Sequence, residues 1–311
     1  MTSLQPLVLI TGADGFVGRS MVSTFTQAGW RVRRAIRSPA GAVVSDDVVC
    51  GLELAPSTRW PEALEGVQAV VHTAARAHLP ARVQQREKDL YWSVNVEGTR
   101  HLAQSAADAG VADFVFLSSI AVNGSNTEGR TPFFEGDAAA PDTIYGQSKA
   151  AAEDLLRTIA ASCSMRVTSL RPPMIYGRGA RGNFRRLLSA VNAGLPLPLG
   201  AVENRRAFLG IDNLSSFVTH RLAGRAGSQF EVFVLADDEQ VSTADFIRML
   251  AGAHGRKARL FRFPLPMLRI VLDRFGLSDA ILKSLEIDTS RAKATGWRPA
   301  LSMAEGLRRA T

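Results

Sequence analysis

Residues 8–18 read VLITGADGFVG, which is an apolar strand followed by a glycine-rich turn and the beginning of a helix. Gly12 permits the tight turn, Gly15 leaves room for a pyrophosphate at the N–H groups of the helix N-terminus, and Gly18 lets the helix pack close to the strand. At the first strand of a chain that alternates strands and helices, this GxxGxxG spacing favours a dinucleotide-binding loop over a merely structural turn. The residues expected to bind the cofactor here are Gly12, Asp14, Gly15, Phe16, Val17 and Gly18.

The first half of the chain alternates short apolar runs with amphipathic helical stretches. Such alternation is typical of a Rossmann-type, doubly wound parallel α/β sheet with right-handed crossovers. The predicted strands are Leu7–Thr11, Arg31–Ile36, Val48–Cys50, Ala69–Thr73, Phe114–Ser118 and Arg166–Leu170, and the main predicted helices are Gly15–Ala28, Arg86–Ala109 and Tyr145–Ala161.

After Arg171 several prolines break this rhythm. We therefore predict a dinucleotide-binding Rossmann domain over residues 1–172 and a smaller, mainly substrate-binding lobe over residues 173–311. Helices are expected at Phe184–Ala193 and Asn213–Leu222, and residues 230–236 are expected to return to the main sheet as a strand. The predicted binding site is a cleft between the carboxyl edge of the sheet and the lobe.

The tip of the second predicted strand is basic and has no acidic residue. An acid at this place binds the ribose 2′-hydroxyl of NAD(H), whereas the 2′-phosphate of NADP(H) requires a cation. Arg37, with Arg34 as the lesser candidate, stands where that cation is needed. The sequence favours NADP(H) and leaves NAD(H) open, because solvated surface arginines would give the same pattern.

Tyr145 and Lys149 stand four residues apart at the start of a predicted helix, so they share one helical face. A phenol, with an ordinary pKa of about 10, serves proton transfer near neutral pH only when a cation lowers that pKa. We expect the Lys149 ammonium to do so while also holding a ribose hydroxyl of the cofactor. Ser119 follows the fifth strand and can donate a hydrogen bond to a substrate oxygen beside Tyr145.

The glycine loop, the strand-end serine and the Tyr-xxx-Lys pair, in this order, resemble the extended short-chain dehydrogenase/reductases, particularly nucleotide-sugar epimerases, dehydratases and 4-keto reductases. The resemblance runs nearly end to end and includes His72-Thr73-Ala74-Ala75, Asn95-Val96-Glu97-Gly98-Thr99, Arg171-Pro172-Pro173, Tyr176-Gly177, Gly296-Trp297-Arg298-Pro299 and Glu305-Gly306-Leu307. It implies that Tyr145 is the catalytic acid/base, that Lys149 lowers its pKa, and that Ser119 polarises the substrate. The further cofactor contacts that it implies are Ala74, Ala75 and Pro172, with Pro173 as the alternative to Pro172. Asn95 is expected to bridge backbone groups rather than to catalyse.

Two departures from the family's patterns narrow the chemistry. Dehydratases place an Asp-Glu pair after the strand-five hydroxyl, where this chain has Ile120 and Ala121, which cannot transfer protons. Many 4-epimerases carry an asparagine where this chain has Met174. By the same resemblance, Asn183 and Arg206 are positioned to bind a substrate diphosphate, although a loop asparagine and a surface arginine would look the same.

The chain looks most like bacterial 4-reductases of UDP-4-keto-6-deoxy-N-acetylglucosamine, which serve surface-polysaccharide synthesis. The leading prediction is therefore NADPH-dependent reduction of a 4-keto UDP-sugar. The alternative is a UDP-hexose or UDP-N-acetylhexosamine 4-epimerase that holds NAD+ tightly. Steroid or phenylpropanoid reduction is disfavoured by Asn183 and Arg206, and a non-catalytic NADP-binding sensor is disfavoured because Tyr145 and Lys149 are both kept. The resemblance also implies a homodimer formed by the two long helices.

The bulk properties fit such an enzyme. The 311 residues include 37 basic and 29 acidic ones, a net charge of +8, which suits an anionic partner, and the basic residues are too scattered to predict nucleic acid. Cys50 and Cys163 show no metal-ligand spacing, so no metal is expected, and with no secretion signal or membrane-spanning stretch the prediction is a cytoplasmic protein. The segment Pro264–Leu285 mixes apolar residues with Arg269, Arg274 and Lys283 at helical spacing, which is typical of a packed helix and also of a helix on a membrane surface.

Overall fold

The computed structural model of the protein describes residues 5–37, 48–50, 54–55, 57–77, 81–224 and 227–310. The chain divides into two compact units. Unit 1 consists of Met1–Val122, Pro141–Arg171 and Ser215–Phe233, and unit 2 consists of Asn123–Ala140, Pro172–Leu214 and Val234–Thr311. The sequence predicts a boundary after residue 172 and a return to the sheet at residues 230–236; the two units differ from that division in that Asn123–Ala140 belongs to unit 2.

The strands follow the predicted sequence pattern closely. They are β1 (Leu7–Thr11), β2 (Arg31–Ile36), β3 (Val48–Cys50), β4 (Ala69–His72), β5 (Asp113–Leu117), β6 (Arg166–Arg171), β7 (Met174–Tyr176), β8 (Phe208–Gly210) and β9 (Phe230–Val234). Seven of the described strands form one sheet in the order β3-β2-β1-β4-β5-β6-β9, and the pairs from β3 to β6 are parallel. This is the doubly wound order of dinucleotide-binding sheets, so the predicted fold class is confirmed. The strand β9 lies at the edge of this sheet, next to β6.

The helices are interleaved with these strands. They are α1 (Phe16–Gln27), α2 (Pro61–Leu64), α3 (Ala81–Arg86), α4 (Lys88–Tyr91), α5 (Gly98–Asp108), α6 (Ile144–Ala161), α7 (Asn183–Asn192), α8 (Ile211–Ala223), α9 (Thr243–Ala253), α10 (Leu265–Asp273), α11 (Ser278–Leu282), α12 (Ser290–Ala294) and α13 (Met303–Arg309). A π-helical segment spans Trp92–Glu97, and a short 3-10 helix spans Ile120–Val122.

Two predicted helices are interrupted. The stretch Arg86–Ala109 is broken at Glu87 and passes through the π-helical segment, in which the buried Asn95 amide bonds groups outside the helix. The stretch Pro264–Leu285 is divided into α10 and α11 by Gly276, whose φ of +65° ends a right-handed helix. Local backbone geometry thus overrides an apolar periodicity that continues through both breaks.

The core of unit 1 forms where the parallel sheet meets its helices. Every residue of β1 and β4 is buried, which explains their continuous apolar sequences, because a parallel strand is covered on both faces. In unit 2, β7 and β8 pair in parallel next to a buried carboxylate, Asp237. Asp237 accepts hydrogen bonds from the Tyr176 hydroxyl at 2.6 Å and the Asn213 amide at 2.7 Å, so this charge is satisfied within the unit.

A substitution at Gly18 would test how closely α1 packs on the end of β1. A Cβ added there would stand 2.1 Å from the Gly12 carbonyl oxygen, a backbone atom that cannot swing away. We expect Gly18→Ala to lower the free energy of unfolding by about 1–3 kcal/mol, measured by urea denaturation. The control is Gly252→Ala in α9, where a Cβ meets nothing within 4 Å and the variant should gain up to about 1 kcal/mol. Equal stabilities for the two variants would contradict the packing described.

Candidate active site

The glycine loop joins β1 to α1 through close backbone contacts. Gly12 has a φ of +65°, and a Cβ on it would approach the Ala74 Cα to 2.9 Å. The Gly15 N–H donates to the Gly12 carbonyl at 2.9 Å, and Gly15 occupies the N-cap of α1 without a side chain that could bond the first N–H groups. These N–H groups are therefore left for an anion, as the positive end of the helix dipole requires.

The remaining predicted residues of this loop lie around the same turn. Asp14 is exposed, whereas Phe16 and Val17 are half-buried in the first turn of α1. Ala74 and Ala75 follow β4, and the Ala74 N–H lies 3.3 Å from the Thr11 hydroxyl at the end of β1. The ends of β1 and β4 are thus joined beside the glycine turn, and the residues present fit a dinucleotide pyrophosphate.

The end of β2 lies beside this loop. The Ala13 N–H donates to the Ala35 carbonyl at 3.4 Å, and β2 runs parallel to β1. Arg34 and Arg37 are exposed there, whereas Arg33 is half-buried and donates to the Ala63 carbonyl at 2.9 Å. Arg33 therefore has a structural contact, and the two arginines predicted from the sequence are the ones that face solvent.

The predicted catalytic side chains come together in unit 1, between β5 and α6. The Lys149 ammonium is buried and donates to the Leu117 carbonyl at 2.8 Å, at the end of β5. It lies 4.4 Å from the Phe116 ring centroid and 6.0 Å from the Tyr145 ring centroid. The Ser119 side chain lies close enough to the Tyr145 phenol to act on its pKa. The structure thus brings all three residues of the predicted trio to one place.

Two features of α6 let its first turn reach the end of β5. The Thr143 hydroxyl caps the helix by accepting the Gly146 N–H at 3.0 Å. A Cβ at Gly146 would stand 2.5 Å from the Ala121 carbonyl oxygen, so glycine is required for this approach. The sequence analysis did not single out Gly146, although its place between Tyr145 and Lys149 is the signal that could have identified it.

The pKa values run opposite to the expected direction. Burial raises the pKa of Tyr145 to about 12, with the Ser119 hydrogen bond offsetting part of the increase. Burial also lowers the pKa of Lys149 to about 7, against the opposing effect of the Glu153 carboxylate. Removal from water outweighs the other influences on both groups, because it penalises their charged forms. That Lys149 lowers the Tyr145 pKa stays a prediction.

Glu153, one helical turn after Lys149, fixes α6 against β6. Its carboxylate is buried and accepts a 2.5 Å bond from Arg171 and a 2.9 Å bond from the Ser169 hydroxyl. The sequence analysis did not identify Glu153. An acidic residue on the same buried helix face as a catalytic lysine was the available signal.

Asn95 and Ser118 are two further buried polar residues of unit 1. Asn95 accepts the Arg76 N–H at 2.8 Å and donates to the Arg76 carbonyl and the Ser148 hydroxyl, each at 3.0 Å. The expected backbone-bridging role of Asn95 is confirmed. The Ser118 hydroxyl is buried with no hydrogen-bond partner in the described part of the chain, so a polar group at the end of β5 is left for a ligand.

Unit 2 contains three of the predicted site residues. Asn183 is the exposed first residue of α7, and Pro172 is buried directly after β6. The Arg206 guanidinium donates through Nη1 to the Lys283 carbonyl at 2.7 Å and the Asp279 carbonyl at 3.1 Å. Burial lowers the pKa of Arg206 to about 10. Part of its hydrogen-bonding capacity is therefore used within unit 2.

Comparison with known proteins places this geometry in context. The sequence pattern of the NAD dependent epimerase/dehydratase family matches residues 8–236. The UDP-glucose 4-epimerase of Vibrio cholerae is 36% identical over 312 residues, which cover 97% of this chain and 93% of that protein. The 3-beta-hydroxysteroid dehydrogenase of Mycolicibacterium neoaurum is 29% identical over 80% of this chain and 70% of its own. The structure of the UDP-glucuronic acid 4-epimerase of Bacillus cereus in complex with NAD superposes with a TM-score of 0.77, at 21% identity, over 97% of this chain and 96% of that one.

The depressed pKa of Lys149 predicts a pH-dependent stability. Between pH 7 and the ordinary lysine pKa near 10.5, the unfolded chain binds a proton that the folded chain does not, so stability rises with pH in this window. The stability advantage of Lys149→Met over the wild type should be largest at pH 6 and should fall by up to about 1.4 kcal/mol per pH unit between 7 and 9.

The measurement is urea denaturation at pH 6 and pH 9. Lys88→Met, at an exposed position of α4, is the matched control, and its effect should be the same at both pH values. A Lys149→Met effect that is equally independent of pH would contradict the buried position of the ammonium.

Proposed function

The chain belongs to the NAD dependent epimerase/dehydratase family, and on that premise we propose that it interconverts the C4 epimers of a UDP-linked hexose or N-acetylhexosamine. The end-to-end similarity to the Vibrio cholerae UDP-glucose 4-epimerase carries the proposal. The trio in unit 1 is compatible with oxidation as well as reduction, so the comparison favours epimerisation over the leading sequence prediction of a 4-keto reductase.

The glycine loop is the part of the chain that fits the dinucleotide. Gly15 leaves room for the pyrophosphate, Gly12 and Gly18 let the turn and α1 pack against backbone atoms, and the N-terminus of α1 supplies N–H donors. A bound NAD+ would supply a hydride acceptor for the sugar C4 and, once reduced, a hydride donor to the opposite face of the sugar. Ala74, Ala75 and Pro172 stay proposed as cofactor contacts, and Lys149 is proposed to hold the ribose.

Tyr145 moves the proton that accompanies this redox change. As a base it removes the proton of the C4 hydroxyl, and as an acid it returns the proton to the same oxygen. Ser119 donates a hydrogen bond to that oxygen. Lys149 has a pKa of about 7 and therefore gains charge readily when an anion binds nearby, and the ammonium then stabilises the phenolate of Tyr145.

The substrate is proposed to be a UDP-sugar because its diphosphate suits the residues assigned to it in unit 2. Asn183 stands at the start of α7, and Arg206 is the cationic candidate. Dehydration is not proposed, because Ile120 and Ala121, which directly follow Ser119, carry no group that transfers protons. The homodimer and the cytoplasmic location stay predictions of the sequence.

A 4-keto sugar reductase is the second candidate, and the arginines of β2 favour it. Arg34 and Arg37 are exposed near the glycine loop, where a 2′-phosphate would be recognised. A reductase consumes NADPH in proportion to product, whereas an epimerase needs no net reductant. The two candidates therefore differ in a quantity that can be measured directly.

The proposed epimerase activity predicts turnover of a UDP-sugar without added reductant. Purified protein with a catalytic amount of NAD+ and no added reductant should convert UDP-glucose or UDP-N-acetylglucosamine to the C4 epimer. Chromatography of the sugar nucleotides measures this conversion. Tyr145→Phe should lower kcat by about 10²- to 10⁴-fold, since the proton donor and acceptor is removed. Turnover that requires stoichiometric NADPH would replace the epimerase by the reductase.

Tyr176→Phe is the matched control for this experiment. It makes the same chemical change at a buried tyrosine of unit 2 that bonds Asp237. It should keep most of the activity but lower the free energy of unfolding by about 1–3 kcal/mol, because Asp237 loses a donor. Equal activity of Tyr145→Phe and Tyr176→Phe would remove the assignment of Tyr145.

The exposed Arg37 after β2 generates a prediction about the choice of cofactor. If Arg37 binds the 2′-phosphate, the chain binds NADPH more tightly than NADH, and Arg37→Asp weakens NADPH binding by about 10- to 100-fold, as loss of a charged hydrogen bond does. Arg31→Asp, at the opposite and exposed end of β2, should leave both affinities unchanged. Calorimetric titration measures both. Equal wild-type affinities, unaffected by Arg37→Asp, would assign NAD(H) instead.

A further inference from the structure

Exposed apolar side chains are concentrated in one segment of unit 2. Among the described residues, the large apolar side chains with high exposure are Leu90, Phe134, Leu195, Phe261, Leu265, Met267, Ile270, Val271 and Phe275. Six of these nine lie between residues 261 and 275. Single exposed apolar residues are ordinary on protein surfaces, but a cluster of this kind marks an interaction site.

The cluster follows one face of α10. Met267, Ile270 and Val271 are 57%, 67% and 50% exposed, and Phe275, just beyond the helix, is 72% exposed. Their spacing places them on the same helical face, and Leu268 is the residue that the nine-residue helix buries. The face is thus apolar and turned to water, and its transfer out of water is favourable.

The sequence that contains this face is basic. Between residues 256 and 275 the chain has six basic residues and one acidic residue, Asp273. The basic residues, all exposed, are Arg256, Lys257, Arg259, Arg262, Arg269 and Arg274. We call residues 256–275 the basic–apolar segment.

We propose that the basic–apolar segment docks the protein on the surface of a bilayer that contains anionic lipids. Apolar side chains enter the boundary between headgroups and acyl chains while flanking cations meet the anionic headgroups. Within the described parts of the chain, no helix is both long and apolar enough to cross a membrane. The proposed contact is accordingly peripheral, and it does not depend on the proposed reaction.

Charge decides between a bilayer and a second copy of the chain as the occupant of this face. In a two-fold dimer the same patch meets itself, so the positive charge of one segment would meet that of the other. Like charges across an interface repel, and the cores of protein interfaces are depleted of charge. An anionic bilayer instead attracts the segment, whose six basic residues outnumber its single acidic residue, Asp273, the partner of Arg269 at 4.0 Å.

The test is flotation of the full-length wild-type protein with large unilamellar vesicles. One set contains phosphatidylcholine, and the other contains phosphatidylcholine with phosphatidylglycerol at a 7:3 ratio, a composition we choose here as roughly that of an anionic leaflet. We expect binding to the anionic vesicles that weakens with salt, since each cation near the surface contributes roughly fivefold to partitioning. Ile270→Glu combined with Phe275→Glu should lower binding at least about tenfold, because two apolar contacts are replaced by charges that the headgroups repel.

Leu90→Glu in α4 is the matched control, since it places the same charge at an exposed leucine outside the segment, and its binding should drop no more than about twofold, the effect of one added charge at a distance. Unchanged urea denaturation of the Ile270→Glu/Phe275→Glu variant shows that the fold is kept. The proposal is overturned if wild type does not float with anionic vesicles, or if that variant floats as wild type does. It is also overturned if sedimentation shows that the double substitution dissociates a wild-type dimer.

Discussion

The Lys149 ammonium lies out of water at the end of β5, and the arrangement of the site depends on how that charge is accommodated. The ammonium donates a hydrogen bond to the Leu117 carbonyl at 2.8 Å, and the Glu153 carboxylate favours the charged form of Lys149. A buried cation without such partners is strongly destabilising, so α6 has little freedom to move away from β5. The same contact fixes the helical face on which Tyr145 stands, four residues earlier, beside Ser119. The cost of burial is visible in the pKa of the lysine, which falls to about 7.

Two other contacts keep this helix in place. Glu153 is paired with Arg171 at the end of β6, and Ser148 is bonded by Asn95 from the π-helical segment. The family motifs therefore have a common physical role, because each fastens α6 to a neighbouring element of unit 1. On the other side of the sheet centre, β1 and α1 are held together by glycines whose replacement would bring a Cβ into backbone atoms. Rigid packing on both sides is what allows a loop to present N–H groups and a helix to present a phenol in fixed positions.

Much of the fold of unit 1 could be predicted from the sequence because parallel strands and their glycine turns leave local signals. The bounds of β1, β2 and β3 agree with the prediction, β4 and β6 differ by one residue at one end, and β5 is displaced by one residue. The helix breaks at Glu87 and Gly276 were not predicted, since the apolar periodicity continues through both positions and does not report the local backbone geometry. The order of motifs in the chain predicts the trio of Ser119, Tyr145 and Lys149, which the structure brings together. The direction of the Tyr145 pKa was not predicted, because it depends on solvent exclusion that only the packed structure defines. Glu153 and Gly146 were missed for the same reason.

We propose that Tyr145, Lys149 and Ser119 serve a redox reaction at C4 whose hydrogen leaves and returns within one site. The decisive measurement uses the UDP-sugar that the protein turns over, deuterated at C4 and incubated with a catalytic amount of NAD+ in ordinary water. Mass spectrometry should find the deuterium retained at C4 in the epimerised product, because the hydride does not exchange with solvent. Loss of the deuterium to water, or the absence of an epimer until NADPH is supplied, would contradict this proposal.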